Sequence, residues 1–320
     1  MTERESLSFP DIPDLRDELD CLVALLPPRT IATYGDLARA LGSRHAAIWV
    51  SKWTEERALV DPAIRTRVVN LAGAQGGTRH ADFDRPPVLQ PLKEWLRHAA
   101  RYVDDRPLTR EPRYIAGVDV AYETPAHAVG AAVMIDAETQ EAMGEAAVRW
   151  PVRFPYITGF LTFREVIPMI AALEQVYAQL GALEPDVVMV DGHGRLHPER
   201  GGVATGFAAV SGLPTIGVAK SLLCGRVEAE ETSHNGIRVR RIMVDQEHRG
   251  FAVQARPNVA PIYISVGGWL SLDDALNATL MMLGSTRLPR PTHEADRLSK
   301  KRAREYAKLW KAASERQPEG

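Results

Sequence analysis

Cysteine is nearly absent from this chain: Cys21 and Cys224 are the only two in 320 residues. They lie far apart, without the paired spacing of a zinc or redox site, so a disulfide framework is not expected and both read as reduced thiols in a cytoplasm. No run of eighteen apolar residues occurs, and the first twenty residues (MTERESLSFPDIPDLRDELD) are acidic and polar. Neither a membrane span nor an export signal is therefore expected. No sign of charge dominates either, since 39 Lys and Arg face 41 Asp and Glu for a net charge of -2. Any contact with nucleic acid must then come from a local patch. What remains is ordinary globular composition, 45% hydrophobic and 25% charged, in a chain long enough for two domains.

One local patch is visible. Residues 284–311 carry nine Lys or Arg against three acids, Glu294, Asp296 and Glu305. This stretch reads either as a solvated helix or as a phosphate-binding surface.

The segment ADFDRPPVLQP (81–91) is rich in proline and charge and reads as a linker between an N-terminal domain (1–80) and a larger one (92–320). In the first domain, helical spacing over 14–26 breaks at Pro27-Pro28. A helix restarts near Thr33 and stops at Gly42, and Ser43 is a plausible N-cap for a further helix through RHAAIWVSKWTEE. Two short helices around a tight turn suggest a small winged helix-turn-helix domain, with Ser43 and Arg44 as candidate DNA contacts. The larger domain opens with a helix over 89–103. Three strands follow (113–123, 128–136, 145–150), then a helix over 164–180, a strand at 186–190, a helix near 203–211, strands at 214–219 and 261–266, and a helix over 272–283. A meander leading into strands that alternate with helices is a mixed α/β sheet flanked by helices, the ribonuclease H-like arrangement.

Two strands end on charge. Asp119 lies within RYIAGVDVAYE with apolar or small neighbours on both faces, and Asp191 closes the apolar run VVMV ahead of Gly192 and Gly194. A carboxylate withdrawn from water costs several kcal/mol unless it is paired, protonated or bound to a cation. Glycines after a strand end let backbone approach a ligand, and ligands in open α/β sheets sit beyond the carboxyl ends of strands. Glu165, in LTFREV, is either a third acid of the same kind or the partner of Thr162 in a capping box. Convergent carboxylates without thiolates or a compact histidine cluster suit Mg2+, with Mn2+ as a substitute. Lys220 ends TIGVAK and is either a surface strand end or a cation for the scissile phosphate. His193 and His197 lie on a loop rather than a helix. Each is a hydrogen-bonding structural group or, for His197, a side chain near the strand end that positions water or binds phosphate. The reaction that this set supports is metal-assisted phosphodiester hydrolysis.

Together YIAGVDVAYE, PYITGFLTFRE, VVMVDGHGRLHP and LPTIGVAKSLLCG, in this order, closely resemble endonuclease V, the deoxyinosine-directed DNA repair nuclease, from about residue 87 to the end of the basic segment. The resemblance implies Asp119, Glu165 and Asp191 as metal ligands, with His197 and Lys220 in supporting catalytic roles. It implies cleavage at the second phosphodiester bond 3′ to a deaminated base in DNA; some relatives prefer inosine in RNA. PYITG is similar to the family's wedge, with Thr158 where a second proline is usual. Pro155, Tyr156 and Ile157 would fill the gap left by an everted base, and the backbone at Gly159, Gly192 and His193 would read that base. Gly206 and Gly268 stand where the family commonly carries histidine.

Residues 14–78 resemble the DNA-binding domain of the alkylguanine-DNA alkyltransferases, but Arg65 in IRTRV replaces the reactive cysteine and Ile48 stands at the place of the inserted arginine. Without a thiolate, alkyl transfer is ruled out. The module is then a scaffold or a DNA-binding element. A non-catalytic sensor of damaged DNA is the rival to a nuclease, and a monomer is expected.

Overall fold

The computed structural model describes residues 6–75 and 77–314. The described residues form two compact units, one within 10–95 and 153–164, the other within 6–9, 96–152 and 165–314.

The smaller unit contains α1 (Leu15–Ala24), β1 (Thr30–Thr33), α2 (Tyr34–Leu41), α3 (Ala47–Arg57), α4 (Ile64–Arg67) and the two-residue strands β2 (Val68–Val69) and β3 (Thr78–Arg79), which pair parallel on either side of β1. A capping box between Thr33 and Asp36 starts α2, and Gly42, in the left-handed region at φ 105°, ends it. The Ser43 hydroxyl then accepts the His45 N–H and caps a 3-10 turn that leads into α3. Trp53, Val50, Leu37 and Leu41 are buried and fix α3 against α2 across the short turn between them. The 81–91 segment is not a free tether: the Leu89 N–H donates to Leu41 O, Lys93 Nζ donates to Gly42 O, and Arg85 pairs with Glu18.

The larger unit follows the crossing helix α5 (Gln90–Tyr102). Strands β4 (Tyr114–Thr124), β5 (His127–Asp136) and β6 (Ala142–Pro151) form the antiparallel meander; α6 (Thr162–Gln179), β7 (Val187–Asp191), α7 (Val203–Ser211) and β8 (Thr215–Ala219) then place β7 and β8 parallel to β4. Beyond β8 come β9 (Arg226–His234), β10 (Ile237–Val244), β11 (Glu247–Gln254) and β12 (Ile262–Gly268), all antiparallel, and helices α8 (Leu272–Met282) and α9 (Arg290–Ser314). The sheet order is β6-β5-β4-β7-β8-β12-β11-β10-β9.

Two glycines in the central strands seat the flanking helices. A Cβ on Gly117 would lie 2.0 Å from the Pro291 carbonyl carbon, so α9 rests directly on the β4 backbone. Gly130, whose cross-strand partner is Val120, faces the opposite side, where a Cβ would lie 2.1 Å from Pro168 O in α6. The core on the α9 side is formed by Ile115, Val133, Val187, Met189 and Ile216 against Ala295, Leu298 and Leu276. Burying a leucine such as Leu298 contributes about 2 kcal/mol. This packing holds α9 along β4 in the register that the site needs.

Candidate active site

Asp119 is carried by β4 on the face that Gly117 opens to α9, and Asp191 is the last residue of β7, the parallel neighbour of β4. From α9 comes a third acid, Asp296. One carboxylate oxygen from each of these three lies within 4.8 Å of the others. Ser299, one turn beyond Asp296, donates its hydroxyl to Asp119 Oδ2 at 2.5 Å. Asp119 is 7% exposed; burial first, then the adjacent Asp191 carboxylate, pushes its carboxyl well above the usual range, against the opposing Ser299 hydrogen bond.

Lys220, just past the end of β8, bridges two of the acids, donating to Asp191 and, at 2.6 Å, to Asp296. Its partial burial disfavours the ammonium, but the charges and hydrogen bonds of Asp191 and Asp296 outweigh that and raise its pKa. Arg287 fixes the backbone at this point by donating to the carbonyls of Lys220 and Pro261. Asp296 also accepts from Lys300 at 2.7 and 2.8 Å; burial raises its pKa, but the bonds from Lys220 and Lys300 prevail and lower it.

Glu165 is not one of the three clustered acids. It sits in the first turn of α6, on the opposite face of the sheet from α9, and accepts the Tyr122 hydroxyl at 2.6 Å from the end of β4. His197 is buried, and its Nδ1 accepts the Glu199 backbone N–H at 3.1 Å. His193 hydrogen-bonds Ser221 O through Nε2 at 2.8 Å, and burial lowers its pKa. The expected close approach of backbone to ligand at Gly194 is instead an approach to the sheet. A Cβ there would lie 2.1 Å from Val266 O, and the Gly194 N–H donates to Ser265 Oγ. A Cβ on Gly217 in β8 would in turn meet Gly194 N at 2.3 Å, so these two glycines pull the loop after Asp191 down onto its neighbours. At Gly268 a Cβ would meet the Val103 Cβ at 2.5 Å, which leaves no space for a histidine.

In the smaller unit, buried Phe154, Phe160 and Phe163 pack together, Arg164 Nη1 donates to Phe154 O at 2.6 Å, and Gly159 takes a positive φ of 86°. Ile157 is buried and Pro155 is half-buried, so this anchored turn presents Tyr156, 61% exposed. Ser43 is buried as a cap, whereas Arg44 beside it is exposed. Arg65 pairs with Glu55 at 2.8 Å.

The sequence reading missed Asp296, Ser299, Tyr122 and Arg287. Asp296 was counted only as a counter-charge in the basic segment, although its neighbours Ala295 and Leu298 mark that turn of the helix as buried. The donor set suits a hard divalent cation: three carboxylates, one of them strongly disfavoured as a bare anion, with no thiolate or imidazole in the group.

An antiparallel meander followed by two parallel strands, with acids side by side on adjacent strands beside a lysine, defines a nuclease of ribonuclease H-like fold. The family model described as Endonuclease V matches residues 97–297. The Azotobacter vinelandii endonuclease V is 42% identical over 190 residues, 59% of this chain and 83% of that protein. Among solved structures, Bacillus subtilis endonuclease V is 30% identical with a TM-score of 0.62, covering 71% of this chain and 96% of that one. Ciona intestinalis endonuclease V, solved with a 24mer DNA containing an inosine followed by a ribo-adenosine, is 25% identical with a TM-score of 0.59, covering 68% and 99%. The chain belongs to the endonuclease V family. Among the described residues no helix is long and apolar enough to cross a membrane.

Proposed function

We propose that this protein is a Mg2+-dependent endonuclease that recognises deaminated bases, deoxyinosine foremost, in DNA and hydrolyses the second phosphodiester bond 3′ to the lesion. The observation that carries the reading is the convergence of Asp119, Asp191 and Asp296 beside Lys220. The inosine-containing DNA bound by the Ciona relative supports the choice of substrate.

In this reading Asp119, Asp191 and Asp296 hold the ion, with Glu165 serving from α6. A bound Mg2+ supplies Lewis acidity toward a phosphoryl oxygen and a nucleophilic water at neutral pH. Lys220, kept protonated by its two acids, stabilises charge on the scissile phosphate and the leaving oxygen. Ser299 orients Asp119 through its hydroxyl. His197 serves beside these groups in a supporting role toward a phosphate oxygen or water. Tyr156 stacks into the gap left by the everted base, and Pro155 and Ile157 stiffen the turn that presents it.

Residues 1–80 are proposed as an alkyltransferase-like module joined through 81–91 to the nuclease domain, with exposed Arg44 on a DNA phosphate and no alkyl-transfer chemistry. The ribo-adenosine after the inosine in the Ciona complex favours a second reading, an inosine-directed endoribonuclease. Labelled DNA and RNA duplexes, each with one inosine, incubated with the full chain and Mg2+ or Mn2+ test both readings. Cutting of the inosine DNA with ends mapped to the second bond is expected; cutting of RNA alone selects the second reading, and intact substrates at high enzyme concentration refute both.

A further inference from the structure

The nuclease family model ends at residue 297, yet α9 continues to Ser314. At about 1.5 Å per residue, α9 continues roughly 25 Å past that point. Its buried side is set by Ala295, Leu298, Ser299 and Ala303. On the opposite side, Arg297, Lys300, Lys301, Arg304, Lys308 and Lys311 are all exposed, and their spacing of three and four residues aligns them in one stripe. The stripe starts beside the candidate active site, where Lys300 is bonded to Asp296.

The acids of this segment are already used. Glu294 pairs with Arg297, Asp296 with Lys220 and Lys300, and Glu305 with Arg302, which lies off the stripe. Lys301, Arg304 and Lys308 have no carboxylate within ion-pair distance among the described residues. A solvated helix of net charge near zero would intersperse its acids along the exposed face. Here three cations in succession are left uncompensated on the face that leads away from the carboxylate cluster. Lys300 to Lys311 span about 16 Å, and a DNA strand presents one phosphate per roughly 3.4 Å of helix axis, so the stripe matches several consecutive phosphates.

We infer that the α9 stripe is a track for the phosphate backbone of the nucleic acid being cut, with Lys301, Arg304 and Lys308 as its contacts. The inference rests on the reading of the chain as a nuclease acting on DNA and adds a binding surface that the carboxylate site lacks. The track positions the substrate and does not read bases, so its contribution is independent of sequence and sensitive to salt.

The test is the salt dependence of binding to a 30-base-pair duplex, with and without one deoxyinosine, for the full chain and the variant K301Q/R304Q/K308Q, with Arg302→Gln as the off-stripe control. Each phosphate contact contributes about 0.9 to the slope of log affinity against log salt. The triple variant should lose about 2–3 from that slope on both duplexes, Arg302→Gln should lose nothing on either, and thermal unfolding should be unchanged because glutamine and lysine have similar helix propensity. Single-turnover cleavage at saturating enzyme should match wild type, with the loss confined to half-saturating concentrations. An unchanged slope overturns the track, as does equal loss in Arg302→Gln or wild-type binding to anionic vesicles but not to DNA. Failure of inosine-directed cutting with the slope change intact overturns the proposed activity and leaves the track standing.

Discussion

Replacing Gly117 with alanine tests how the site is assembled. The new Cβ would lie 2.0 Å from the Pro291 carbonyl carbon and 2.6 Å from Thr292 N, both backbone atoms at the start of α9. Restoring the ~3.5 Å separation of non-bonded carbons requires α9 to move by about 1.5 Å. Overpacking of this kind costs about 1–3 kcal/mol, which for a chain of this size lowers Tm by roughly 2–10 °C. The effect on chemistry should be larger, because α9 carries both Asp296 and the Ser299 hydroxyl that holds Asp119. A misplacement near 1 Å costs on the order of 10²-fold in rate. Gly250→Ala is the matched control: its Cβ would meet Ile264 O at 2.4 Å, between β11 and β12, which carry none of the proposed metal-binding acids. Thermal unfolding, Mn2+ affinity and single-turnover cleavage of inosine DNA should be measured for both variants. Gly117→Ala is expected to lose metal affinity well beyond the loss in Gly250→Ala at similar destabilisation. Equal loss in the two variants, or wild-type cutting by Gly117→Ala, refutes the idea that α9 completes the site.

Three further outcomes follow from the same geometry. Asp296→Asn should reduce cleavage by at least about 10²-fold while leaving the fold intact, checked by single-turnover kinetics beside circular dichroism. Tyr156→Ala should weaken discrimination between inosine and undamaged duplexes without lowering Tm, since the ring is exposed and contributes little to packing; competition binding reads this. Asp36 is buried, which raises its pKa, but hydrogen bonds from Arg79 and Thr33 prevail and hold the carboxyl well below the usual range. A depressed folded pKa contributes stability that is present above the unfolded value near ~4 and is lost as pH falls through the folded one. The smaller unit should therefore lose stability on acidification below about pH 4, and Asp36→Asn, which also weakens the cap of α2 by about 1 kcal/mol, should flatten that acid limb in urea titrations monitored by tryptophan fluorescence.

Asp119, Asp191 and Lys220 were legible because each is a charge at the end of, or inside, an apolar strand, a conflict that few structural roles resolve. Asp296 was not, because a helix with six nearby cations makes any acid look like a counter-ion; only its register with Ala295 and Leu298 marks it as inward. The family resemblance named Glu165 beside Asp119 and Asp191; the structure adds Asp296 to those two, and Glu165, from α6, accepts the Tyr122 hydroxyl. The meander and the parallel pair were legible from hydrophobic runs. Strands β9 to β11 were not, since their exposed positions carry ion pairs such as Arg241–Glu228 that erase alternation. The Asn235-Gly236 pair, both with positive φ, was the available hairpin signal. Gly117 and Gly130 carried a signal too, a glycine inside a strand where another backbone approaches, visible in sequence but interpretable only once α9 and α6 are placed.

The most direct measurement is a calorimetric titration of Mn2+ into the full chain and into Asp119→Asn and Asp191→Asn, with Tm recorded alongside. At a hundredfold excess over Kd, the ion should stabilise the wild type by about 2.7 kcal/mol. Both variants should lose the binding heat and the Tm rise, and Asp119→Asn should be at least as stable as wild type without metal because a disfavoured buried carboxylate is gone. Binding that survives in both variants, or cleavage by a wild type that binds no divalent ion, would contradict the account.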